Sequence, residues 1–167
     1  MKKYIFSLVL TFVAVQFTYA QDLNSFMSEF SKQEGVQRQL VDRSMLDMSM
    51  KAAMTADSTG QMVSKMPAFM QKIDSIEVLA IEKYIPEVKT KFLEGIQRFK
   101  DGNGYATLLS VNEADDNVKI ISHKEGDLFT GVYILVLDNE DAVIVKMSGN
   151  LTESDLTEIL KEQNKNK

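Results

Sequence analysis

The sequence predicts an α+β fold: an antiparallel meander of four strands, extended by one or two earlier strands, with helices packed on one face. Three observations lead there. Apolar residues recur at helical spacing through much of the first hundred residues, the period falls to two after Tyr105, and each break between the late strands is a short polar turn. Links that short join antiparallel neighbours, because parallel strands need a crossover of about a dozen residues or more.

The elements follow in order. Leu23, Phe26, Met27 and Phe30 form one face of a helix over residues 22–33, which Gly35 ends. Residues 36–41 read as an edge strand, because Gln37, Arg38 and Gln39 interrupt its apolar character. Asp42 is placed to cap a helix running through Met45, Met48 and Ala52. Residues 55–61 are small, polar and glycine-bearing, and read as a loop. A short helix over 64–72 is expected, with Met62, Met66 and Met70 four apart and Pro67 in its first turn. Residues 73–82 carry apolar side chains at odd and even positions, as a strand buried on both faces does. Pro86 then opens a helix whose stripe is Ile85, Val88, Phe92, Ile96 and Phe99, closed by Asp101, Gly102, Asn103 and Gly104. Strands follow at 105–113, 118–124, 128–138 and 142–149, the third apolar on both faces and therefore central. Thr152, Glu153, Ser154 and Asp155 form a capping box for a last helix that docks through Leu156, Ile159 and Leu160.

Residues 1–20 read as a secretory signal peptide: Lys2 and Lys3, an apolar run over 4–17, then Thr18, Tyr19 and Ala20 before Gln21. The run is short for a membrane span, which takes about 20 apolar residues. The expected organisation is a cleaved signal peptide, one α+β domain over 21–161 and a solvated tail over 162–167. No further stretch could span a bilayer. The chain has no cysteine, which excludes a lipid-attachment cysteine and a disulfide framework. Cleavage removes Lys2 and Lys3, leaving 17 basic and 24 acidic residues and a formal charge of −7. That balance argues against nucleic acid or anionic lipid as a partner.

The order of elements carries a resemblance. A signal peptide precedes a helix closed by Lys32, Gln33, Glu34 and Gly35; a strand–helix pair follows; and the meander ends on Val143-Ile144-Val145-Lys146-Met147-Ser148-Gly149 before Asn150-Leu151-Thr152-Glu153-Ser154-Asp155-Leu156. The chain resembles the exported Bacteroidota family catalogued as domain of unknown function 4252. The resemblance implies a fold, an exported setting and a tie to envelope stress signalling, and it supplies no catalytic residue. Members are often lipoproteins; this chain departs from them in lacking the cysteine.

Seven of the ten methionines lie between Met45 and Met70. Thioethers are soft ligands that select Cu(I), so Met45, Met48 and Met50 are candidate metal ligands. The competing reading is core packing, with Met45 and Met48, and Met62, Met66 and Met70, on inward helix faces. Packing is preferred, because no histidine or cysteine stands nearby to complete a copper site. His123 is the single histidine, on the strand face opposite Val118, Ile120 and Ser122. It would serve a hydrolase only with a nucleophile and an orienting carboxylate around it. The acidic turns at 115–117 and 138–141 offer oxygens suited to Ca²⁺, but they lack EF-hand spacing and fit hairpin chemistry better. Asn150, Leu151 and Thr152 match a glycosylation acceptor in form, although Thr152 fits better as a helix cap. No cofactor motif and no catalytic residue is recognised. The expected function is a non-enzymatic envelope protein, periplasmic or secreted, whose sheet edge or helical face meets a protein partner. The alternatives are Cu(I) handling by the methionines and a hydrolase centred on His123.

Overall fold

Six strands hydrogen-bond into one antiparallel sheet in the order β1-β2-β6-β5-β4-β3. The computed structural model describes residues 23–56, 66–113 and 116–165. The signal peptide over 1–20, Gln21, the loop residues 57–61, Met62, Ser64, Asp115 and residues 166–167 of the tail lie outside the described residues. Along the chain run α1 (Leu23–Phe30), β1 (Gln37–Asp42), α2 (Arg43–Ala56), a 3-10 turn (Ala68–Lys72) and β2 (Ile73–Ile81). Then come α3 (Pro86–Arg98), β3 (Tyr105–Asn112), β4 (Asn117–Glu125), β5 (Leu128–Leu137), β6 (Ala142–Leu151) and α4 (Glu153–Lys165). The expected meander is β3 to β6. Both earlier strands extend it, β2 beside β6 and β1 at the edge.

The helices do not share one face, which corrects the sequence expectation. On β5, Tyr133, Leu135 and Leu137 enter a core with Phe26 and Phe30 of α1 and Val88, Phe92 and Ile96 of α3. Phe129, Val132 and Ile134 enter a second core, with Leu46 of α2, Phe69 of the 3-10 turn, and Leu156 and Ile159 of α4. The reason lies in β5 itself. Apolar at every position from Val132 to Leu137, it has no face suited to water, and each large side chain gains about 1.5–3 kcal/mol on burial. Two smaller corrections follow. Ile85 stands before α3 and is exposed, and the described part of the 64–72 helix is a 3-10 turn held by Met70 N–H donating to the Pro67 carbonyl at 3.1 Å.

Two glycines set how closely elements approach. A Cβ on Gly95 of α3 would lie 2.1 Å from the Phe26 ring, so α1 beds its aromatic face on bare helix backbone. Phe92 meets Phe26 and Phe30 edge-on, with centroids 5.7 and 5.1 Å apart. A Cβ on Gly149 of β6 would lie 2.2 Å from the Lys72 carbonyl oxygen, because the chain enters β2 across β6 at that point. The crossing delivers Lys72 to α4. Its Nζ donates to both carboxylate oxygens of buried Asp155, at 2.9 and 2.7 Å. The Thr152 amide and hydroxyl each donate to Asp155 Oδ2 at 2.6 Å, so the carboxylate half of the expected capping box forms and the hydroxyl serves the carboxylate.

Burial pushes the Asp155 carboxyl up, but the Lys72 ammonium and the Thr152 donors outweigh it and hold the group below its ordinary 3.8. An acid depressed in this way stabilises the fold fully above its unfolded pKa, and the gain is lost as pH falls through the folded value. Asp155→Asn should therefore lower stability by about 2 kcal/mol at neutral pH, the scale of hydrogen bonds to a charged group. The gap from the parent should close as pH drops below 3.8, read by urea unfolding across pH. Gly149→Ala should cost about 2 kcal/mol or more, because backbone rather than a flexible side chain meets the new methyl.

Candidate functional site

The candidate site is built from β1 and α2, at one end of the sheet. β1 pairs with β2 on one side, without a register shift from Gln37 to Asp42, and is exposed at every position except Val41. Asp42 caps α2 as expected, with its Oδ1 accepting the Met45 amide at 2.9 Å. Arg43 then ties the first turn down. Its guanidinium donates to the carbonyls of Gln71 at 2.9 Å and Ile73 at 2.8 Å, and to Asp47 Oδ1 at 2.5 Å.

That anchor turns α2 so that Leu46 is buried and Met50 packs against the second core. The expected inward face of Met45, Met48 and Ala52 points outward instead, which overturns the core-packing reading of Met45 and Met48. Leu40, Met45, Met48 and Met54 are 49, 49, 69 and 44 % exposed, and they make up four of the six exposed large apolar residues among those described. Met70 does pack against the second core, as expected.

The three candidate metal ligands are not brought together. Met45 and Met48 lie one turn apart on the outer side, whereas Met50 is two residues beyond Met48, or about 200° round the helix, and faces the core. Among the described residues no group of three or more histidine, cysteine, aspartate or glutamate side chains is placed to hold a metal ion.

His123 sits half-buried on the face opposite Ile120, as expected, with its ring 4.2 Å from that of Tyr105. Its Nδ1 lies 3.0 Å from Thr130 Oγ1 and 3.7 Å from Glu125 Oε1. A relay needs the hydroxyl and the carboxylate on opposite ring nitrogens, and here both approach the same one. Nε2 faces the backbone at Gly104, where an added Cβ would lie 3.2 Å away. The geometry is that of a strand histidine closing an aromatic cluster.

The turn at 138–141 uses its carboxylates on the backbone. Asp138 Oδ1 accepts the amides of Glu140 at 2.8 Å and Asp141 at 2.7 Å, and Asp141 Oδ1 accepts the Lys83 amide at 3.1 Å. The Tyr84 hydroxyl donates to the Asp138 carbonyl, so the turn also seats the start of α3. Asp101 works similarly: the hydroxyl and then the amide of Thr107 hold its carboxyl below the ordinary range. Hairpin and loop chemistry accounts for these acids.

One feature escaped the sequence reading. A cleft of about 390 Å³ runs between α1 and α3, with Phe26, Phe30 and Phe92 as floor and Lys32, Gln33 and Lys91 on its rim. Gly95, inside an otherwise regular helical stripe, is the signal that could have found it, since such a glycine marks a close approach.

These elements define an antiparallel α+β fold covered on both faces, with four of the six exposed large apolar residues among those described on β1 and α2. The chain belongs to the family described as Domain of unknown function (DUF4252), whose model matches residues 30–159. No curated protein and no solved structure matches it. The matched span runs from the end of α1 into α4, and so includes β1, the methionines from Met45 to Met70, His123, Gly149 and Asp155.

The two methionine environments separate by mutation. Met50→Ala should lower stability by about 1–2 kcal/mol, the lower end for a partly buried core side chain, whereas Met45→Ala and Met48→Ala should stay within about 0.5 kcal/mol of the parent. Chemical denaturation of the three variants checks this.

Proposed function

We propose that this chain is an exported, non-enzymatic binding module of a Bacteroidota envelope, periplasmic or secreted, whose docking surface is the β1–α2 edge. The observation that carries the reading is the concentration of exposed Leu40, Met45, Met48 and Met54 on one strand and the helix that follows it. Exposed apolar groups cost solubility unless something covers them, and flexible thioethers suit a surface that adapts to a partner. Among the described residues β1 pairs on one side alone, which leaves backbone groups that an extended partner segment can use. Export rests on the arrangement of residues 1–20, from Lys2 and Lys3 through the apolar run to Ala20. Among the described residues no helix is long and apolar enough to cross a membrane.

A photo-crosslinking residue at position 48 should yield a discrete adduct with another envelope protein in intact cells. The same residue at exposed position 87 of α3 should not. Met45→Lys combined with Met48→Lys should abolish the adduct and leave the thermal midpoint unchanged. Failure to trap any envelope protein from position 48 would remove this reading.

A further inference from the structure

We infer that the edge of β1 is a self-association site, and that its occupant is β1 of a second copy of this chain, paired antiparallel about Leu40. This rests on the reading of the β1–α2 edge as a docking surface and names what sits on its strand. Arg38, Leu40 and Asp42 alternate along β1 and so share one face of the sheet. Two copies related by a twofold axis through Leu40 place each residue opposite the one equally far on the other side of it. Arg38 then faces Asp42 of the second copy, Asp42 faces Arg38, and Leu40 meets Leu40. Of all antiparallel registers of this strand with itself, this is the one that sets Arg38 against Asp42. Opposite charges directly across a strand pair favour it, and any register that sets like charges opposite is disfavoured.

The groups are available for the pairing. Leu40 is exposed, and the Arg38 side chain is 59 % exposed. Arg38 gives its Nε to Glu77 Oε1 at 2.7 Å, which leaves the guanidinium terminus to reach a second carboxylate. Asp42 uses Oδ1 for the α2 cap, and among the described residues no hydrogen bond engages its Oδ2. The two ends of the sheet also differ. β3, the opposite edge, carries a register shift between Thr107 and Leu109, whereas β1 runs without one. Bulges are a usual means of blunting an edge, and β1 has none, nor a lysine or proline.

Sedimentation equilibrium of the processed chain, purified after export, should give a concentration-dependent mass of two chains. Arg38→Asp alone sets acid against acid and should be monomeric, and Asp42→Arg alone sets base against base and should be monomeric too. Mixed one to one, the two variants should form a heterodimer, an outcome that loss of the Glu77 pair or of the α2 cap would not produce. Because the chain has no cysteine of its own, Leu40→Cys should oxidise to a disulfide-linked dimer, and the same substitution at Gln37 should not. A single-chain mass at every concentration reached would overturn the inference. So would a dimer that both charge variants keep, or one in which Cys at position 40 does not crosslink. None of these results touches capture of an envelope protein from position 48, so the two readings fail separately.

Discussion

The passage of the chain across β6 at Gly149 is the constraint on which the rest of the structure depends. It sets β2 between the meander and β1, and it brings Lys72 to Asp155, which in turn holds the first turn of α4. A side chain at residue 149 would lift the 3-10 turn off β6 and take Phe69 out of the second core. The feature that marks the family resemblance, a strand ending in glycine before a capped helix, therefore has a mechanical cause. The glycine admits a crossing backbone, and the capping acid receives the cation that the crossing delivers.

The two faces of the sheet are closed unequally. On one, α1 and α3 interlock through three phenylalanines over Gly95, and Lys119 of β4 donates to the carbonyls of Ile96 and Phe99 where α3 ends. On the other, α2 buries Leu46 alone and is held largely by Arg43. A helix so lightly seated keeps much of its apolar surface outside, and that surface is the material of the proposed binding edge.

The meander was legible because its turns and its period of two agree. The helix stripes of α1 and α3 were legible because apolar residues crowd one side of each. α2 was not, because its sequence carries two apolar stripes, Met45 with Met48 and Leu46 with Met50, and periodicity does not choose between them. Arg43 chooses, by reaching carbonyls about thirty residues away in sequence. Helices on one face alone do not suit a central strand that is apolar on both sides, since β5 needs a helical layer over each face. Of the candidate site, the edge strand was readable from its interrupted apolar pattern. The outward turn of the methionines was not, since it is decided by a tertiary contact.

The unlike ends of the sheet also bear on how far association can go. A sheet with two straight edges is a template at both, and each added copy presents a fresh end, which is the geometry of a fibre. Here the β3 end is interrupted at Leu108, so a pair joined at β1 turns only bulged edges outward. In the proposed pair growth would stop at two, and a chain rich in apolar strands would gain protection from polymerisation through one displaced residue.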